Sequence, residues 1–130
     1  MSDELMRYLD TLPQRIRAEL SGTLRNEAEM LSDAQRQAVE SLAEETSGKL
    51  AASCVVVPGR DDLEFIVQAG GDLTTVEVRE GSGEPFDTAV AFEFGTDHQH
   101  AKPFFWPTYR ARKVRMLANL RNAVGKVLGR

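Results

Sequence analysis

The sequence is short of the side chains that most enzymes and membrane proteins need. It has one cysteine, Cys54, so no intrachain disulfide can form. It has two histidines, His98 and His100, one tryptophan and two tyrosines. No stretch approaches the roughly 18 consecutive apolar residues of a membrane span. No GxSxG elbow, P-loop or GxGxxG is present, and Gly81-Ser82-Gly83 lacks the strand–turn–helix setting of a phosphate loop. The start, Met1-Ser2-Asp3-Glu4, is acidic and leads into amphipathic sequence. A signal peptide needs a basic start and an apolar run, so the chain is expected in the cytosol when made.

What is present is a polarised charge. The net charge is −4. Residues 1–50 carry −4, residues 51–100 carry −8, and residues 101–130 carry +8 with no acidic residue at all. Such a chain can neutralise itself within one fold, leave a solvated basic helix face, or join head to tail with its own copies. A basic end can also meet nucleic acid. The length, 130 residues, fits one domain over 1–130, and 42% apolar residues suffice for a core.

Residues 3–46 read as helix. Leu5, Leu9, Leu12, Ile16, Leu20, Leu24, Ala28, Leu31, Ala38 and Leu42 recur at three- and four-residue steps. Pro13 disfavours a helical Leu12, which predicts a short first helix or a kink and then a long helix from about Gln14. Ser32-Asp33 is a further possible break, and Thr46-Ser47-Gly48 a stop. Three β-rich runs follow: Cys54–Val57, Leu63–Val67 and Thr74–Val78. Turn sequences at Pro58–Asp62 and Gly70–Asp72 separate them, which predicts an antiparallel meander. Gly81–Pro85 reads as a loop. Over 87–95, Asp87 as N-cap and Gly95 as stop favour a short helix, while alternating Phe92 and Phe94 favour a strand; helix is the expectation. A last helix is expected from about Trp106 to Leu128, with Pro107 in its first turn and a stripe of Val114, Leu117, Leu120, Val124 and Val127. The expected class is α+β: a long N-terminal helix, a small antiparallel sheet of three to four strands, and a C-terminal helix packed on the sheet.

Candidate chemistry is thin. Asp97-His98-Gln99-His100 places two imidazoles at i, i+2, but nothing nearby completes a four-ligand site, so a solvated or interface loop is the simpler reading. Cys54 opens the apolar run Cys-Val-Val-Val, where a free cysteine behaves as a small core residue rather than a nucleophile. No catalytic residue, metal or cofactor is expected. The block Lys102-Pro103-Phe104-Phe105-Trp106-Pro107 is more unusual. Three consecutive aromatics entering a helix cannot all point one way, so some should anchor the helix to the core and others meet a partner. Beside Lys102, Tyr109 and Arg110 they could also stack bases.

These residues carry a resemblance. Phe92-Glu93-Phe94-Gly95-Thr96, a short loop, then Ala101-Lys102-Pro103-Phe104-Phe105-Trp106-Pro107 resembles the EFGT…PxPF-(L/F)-xPA signature of the HK-type siphophage tail-component family. That family comprises tail-completion or head–tail joining proteins. Upstream, Thr46-Ser47-Gly48-Lys49-Leu50-Ala51-Ala52-Ser53 is similar to its TG-x-L-xx-S segment, and Ala89-Val90-Ala91-Phe92 falls where the family has YA-xx-V. The pieces agree in order over nearly the whole chain. Thr88 stands for the usual tyrosine, Ser47 is inserted before Gly48, and Thr108 stands where alanine is frequent.

The resemblance implies a small sheet packed by helices, an oligomeric ring and no catalysis. The protein implied is a virion structural protein of the phage neck or tail end, made in the bacterial cytoplasm. Its source is a phage, a prophage or a gene-transfer particle. Tail completion and tail termination both remain open. The partners implied are its own copies, in a ring of six in the particle or as a monomer in isolation, and neighbouring neck and tail-tube proteins. No membrane is involved, and DNA passes through the lumen without specific binding. Candidate contact residues are Phe94, Gly95, Thr96, His98, His100, Lys102, Phe104, Phe105, Trp106, Arg110, Arg112 and Arg115. The competing readings are a nucleic-acid-binding module built on the basic C-terminal helix and a small enzyme using Cys54 or the histidines.

Overall fold

A computed structural model gives the fold and describes residues 3, 4, 7, 13–42, 48–77, 83 and 85–129. Helix α1, Gln14–Leu42, has 29 residues and so spans about 44 Å. It begins directly after Pro13, whose carbonyl accepts from the Arg17 N–H at 3.0 Å; a proline here loses nothing, because helix-start N–H groups have no partner anyway. Leu20, Ala28, Leu31, Gln35 and Val39 form its buried stripe at steps of three, four and eight. The helix runs through Ser32-Asp33 without the expected break. One turn on, Arg36 donates to Ser32 Oγ and to Asp33 Oδ1, which keeps both short polar side chains from competing for the backbone. Leu5, Leu9, Leu12 and the stop at Thr46-Ser47 lie outside the described residues.

A single helical turn, α2 (Lys49–Ala52), leads into strand β1 (Val55–Pro58), which pairs antiparallel with β2 (Phe65–Gln68). The register sets Val56 opposite Val67 and Pro58 opposite Phe65. Those residues share one face, and Val55, Val57 and Ile66 share the other. α1 packs across this ladder, with the Arg25 guanidinium 5.3 Å from the Phe65 ring centre. The turn is held by local bonds: Gly59 N–H to Glu64 O at 2.8 Å and Leu63 N–H to Asp61 Oδ1 at 2.9 Å. Arg17 also donates to Asp62 Oδ1, tying α1 to the turn; that hydrogen bond holds the Asp62 carboxyl below its ordinary range.

The third strand departs from a meander. Strand β3 (Thr75–Glu77) pairs with β4 (Pro85–Asp87), giving two separate two-stranded sheets. Gly70 and Gly71, at φ +90° and +92°, turn the chain out of the first ladder. Asp87 fixes the new direction by accepting from Gly71 N–H, Thr74 Oγ1–H and Ala89 N–H. A Cβ on Gly70 would lie 2.8 Å from Asp87 Oδ2, so only glycine fits there.

Helix α3, Thr88–Phe94, starts with Asp87 as its side-chain cap and stops at Gly95, φ +80°, as expected. Helix α4, Trp106–Val127, carries Pro107 in its first turn and lies along α1. The overall class is therefore the expected one: a long helix, small antiparallel sheets and a packed C-terminal helix. The inward face of α4 shares Leu120 with the expected stripe but is otherwise turned from it. Tyr109, Met116 and Leu120 line the cleft against α1, and Asn119 Nδ2 donates to Glu27 Oε2 at 3.1 Å. Val114, Leu117 and Val124 instead stay exposed on the helix's flank. The core cluster is Val39, Cys54 and Phe104, with Leu50, Ala69 and Phe92 packed against it.

Candidate functional site

The two sequence segments that carry the resemblance meet in one joint. Glu93, in α3, is buried to 6% exposure. Its Oε1 accepts from the Phe104 and Phe105 N–H groups, both at 2.8 Å, and its Oε2 accepts from the Trp106 N–H at 3.1 Å. These donors sit at the start of α4, where backbone N–H groups lack partners and the helix dipole favours negative charge. One carboxylate therefore caps α4 from another helix.

Around it the backbone is fixed as well. Lys102 N–H donates to Phe92 O at 2.7 Å, Gly95 N–H to Ala91 O at 2.7 Å and Thr96 N–H to Gln99 O at 2.9 Å. A Cβ on Gly95 would lie 2.9 Å from the Ala101 nitrogen, a distance real Cβ atoms do not reach, so the close approach requires glycine. Thr96 Oγ1 accepts from His98 N–H at 3.1 Å. Thr108 Oγ1 donates to Phe104 O at 2.6 Å, and Gln35 Nε2 reaches Phe105 O at 3.2 Å. From the core outward, Phe92, Phe104, Phe105, Trp106 and Tyr109 form a chain of edge-to-face ring pairs with centroids 5.0 to 6.2 Å apart.

This geometry sorts the twelve candidate contact residues. Phe104 is 1% exposed and belongs to the core. Gly95 and Thr96 serve the turn. Phe105 is half-buried beneath Trp106. Arg112 shares the helix face of Tyr109 and Met116, and its Nε and Nη2 are buried without a protein partner. Lys102 lies half-buried with its ammonium 5.9 Å from the Phe92 ring centre. Phe94, His98, His100, Trp106, Arg110 and Arg115 remain exposed. Phe94, 66% exposed, and Trp106 edge a shallow hollow of about 350 Å³ whose floor includes Val67, Ala69 and Phe105.

The remaining candidates for chemistry do not converge. Cys54 is fully buried, and burial pushes its thiol up to about 11 against the smaller opposing pull of Arg36, so it stays protonated at neutral pH. Among the described residues no group of three or more His, Cys, Asp or Glu comes together. A cleft of about 310 Å³ lies between α1, β2 and α4; it is mostly apolar, with Glu27 and Gln35 at its wall. No helix among the described residues is long and apolar enough to cross a membrane.

A second surface was hidden in the sequence. On α4, residues 106, 110, 114, 117, 121, 124 and 128 follow one another at three- and four-residue steps, so they share one flank of the helix. Trp106, Val114, Leu117, Val124 and Leu128 are all exposed, Val114 to 79%. Arg110 and Arg121 are interleaved with them. Among the described residues, no ion pair joins a basic side chain of α4 to an acidic one; the pairs formed are Arg17–Asp62, Arg36–Asp33 and Arg60–Glu64. The sequence expectation put Val114, Leu117 and Val124 on the buried face, whereas they stand exposed beside Arg110 and Arg121.

No protein-family model, curated protein or solved structure matches this chain.

Proposed function

We propose that the chain is a non-enzymatic structural subunit of a phage-type particle, one copy of a ring at the neck or tail end that joins or completes the tail. The observation that carries this reading is the Glu93 joint. The EFGT-like segment and the Pro-Phe-Phe-Trp-Pro segment, on which the resemblance rests, are locked together by three hydrogen bonds into one element. That gives the pair a shared structural reason to occur together. The joint leaves Phe94 and Trp106 exposed at its surface, where a neighbouring subunit could cover them. The exposed basic flank of α4 and an acidic remainder supply two unlike surfaces, as a cyclic ring of identical subunits needs.

Deleting the gene and imaging the particles tests this reading. Loss of a joining subunit should leave filled heads and separate tails, and loss of a terminating subunit should leave tails of uncontrolled length. Gold-labelled antibody against the chain should mark the head-proximal end of the tail. Normal particles from the deletion, with no label on the parent particles, would remove the protein from the virion. The basic flank also supports a second reading, a nucleic-acid-binding module. That reading requires affinity for duplex DNA that falls steeply with salt.

A further inference from the structure

We infer that the ring's repeating contact is made by the α4 flank of one copy docking on the β3–β4 ribbon of the next. The inference rests on the ring reading and specifies which two surfaces meet.

The flank needs an acidic partner. Paired with the same flank of another copy, Arg110 and Arg121 would face like charge, so a two-fold contact through this stripe is disfavoured. Its exposed apolar side chains also suit a protein surface better than a phosphate backbone, which offers nothing to bury Val114 and Leu117 against. The chain itself contains the complementary surface. Residues 51–100 carry −8, and the β3–β4 ribbon lies within them.

The ribbon is incompletely covered. Val76 and Phe86 are directly opposite in the ladder, so their side chains share one face, and both are exposed. Leu73, in the turn entering β3, is exposed as well. Asp72, exposed, stands beside Leu73 in the turn, and Glu77, also exposed, points from the opposite face of the ribbon. Among the described elements the ribbon's main packing is against α3, and a two-stranded ribbon is marginal in water without an apolar cover. One copy thus offers apolar side chains among arginines, and the other offers an exposed apolar pair on a thin ribbon that carries Asp72 at its turn and Glu77 on its reverse face. Because the two patches differ, the contact is heterologous and propagates until a ring closes.

Charge exchange tests the contact in the full chain. One variant carries Arg110→Glu and Arg121→Glu; the other carries Asp72→Lys and Glu77→Lys. Asp72→Lys alone serves as the ribbon variant if Glu77→Lys disturbs the bond from Gly83 N–H to Glu77 Oε2. Sedimentation at low salt should show the parent chain associating and each variant alone weakened by about tenfold or more. An equimolar mixture should regain association, because every flank then meets a ribbon of opposite sign, and the mixed species should alternate the two chains by native mass spectrometry. Parent association unchanged by either variant, or a mixture that stays dissociated, overturns the contact and leaves the ring reading untouched. A parent chain that stays monomeric at all concentrations also overturns it, and the ring reading then rests on particle imaging. Flank variants that alter only DNA affinity assign the flank to nucleic acid instead.

Discussion

The joint at Glu93 holds the start of α4 and the exposed flank runs along the same helix, yet the two are built on opposite terms. At the joint, the three N–H groups that open α4 meet a buried carboxylate, a glycine admits the backbone that approaches it, and stacked rings fill the space. On the flank, apolar and cationic side chains face outward with no ion pair among the described residues. The contrast teaches that unusual composition has two different origins. At the joint, uncommon residues answer the demands of the fold. On the flank, ordinary residues stand where a single chain leaves them uncovered.

The sharpest way to break this comparison is to empty the joint's core. Phe104→Ala should cost about 3–5 kcal/mol of stability in urea denaturation, because the ring is fully buried in a packed cluster. A loss below about 1 kcal/mol would mean that the ring is not a core anchor. Glu93→Ala should cost about 2–4 kcal/mol, since it strands donors at a buried helix start. Glu93→Gln should cost less, because one amide oxygen can still accept from Phe104 and Phe105.

Asp87 supplies a smaller effect with its own pH signature. Asp87→Ala should cost about 1–2 kcal/mol at neutral pH through the lost cap of α3. Burial raises the Asp87 pKa, but the hydrogen bonds from Gly71, Thr74 and Ala89 outweigh it and hold the carboxyl below its ordinary range. A carboxylate lowered by folding stabilises fully above its unfolded pKa of about 3.9 and loses that contribution as pH falls through the folded value. The parent chain should therefore lose stability below about pH 4 more steeply than Asp87→Ala. Parallel acid curves would contradict this. The smallest effect belongs to the flank. Val114→Ser and Arg110→Glu should leave the denaturation midpoint of the monomer unchanged while weakening association. A large shift in that midpoint would place the flank with the fold rather than with a partner.

Much of the scaffold was legible in the chain. The period of Leu20, Leu24, Ala28 and Leu31 marked α1, Pro13 and Pro107 marked helix starts, and Asp87 with Gly95 bracketed α3. The pairing of β3 was not legible, because its partner Pro85-Phe86-Asp87 is three residues long and opens on a proline, which signals a loop. Gly70-Gly71 read as a hairpin turn, whereas Asp87 binds Gly71 N–H and Thr74 Oγ1–H and holds the chain that follows against β4. The phase of α4 was legible only in part: Leu120 of the expected stripe faces α1 and Val127 is half-buried, but Val114, Leu117 and Val124 are exposed, and Tyr109 and Met116 complete the inward face. Ser32-Asp33 suggested a break that Arg36 prevents. Within the candidate site, the Pro-Phe-Phe-Trp-Pro block stood out by composition. The division of its rings between Phe104 in the core and Trp106 at the surface required the fold. Glu93 gave only a faint signal, a lone carboxylate within Ala-Val-Ala-Phe-Glu-Phe.

Native mass spectrometry of the parent chain at low salt, across a range of concentrations, tests the central claim most directly. Unlike surfaces on one chain should assemble into one closed species of more than two copies that dissociates as salt rises. A dimer that never grows, insensitive to salt, would mean that like faces meet like and would contradict a head-to-tail subunit.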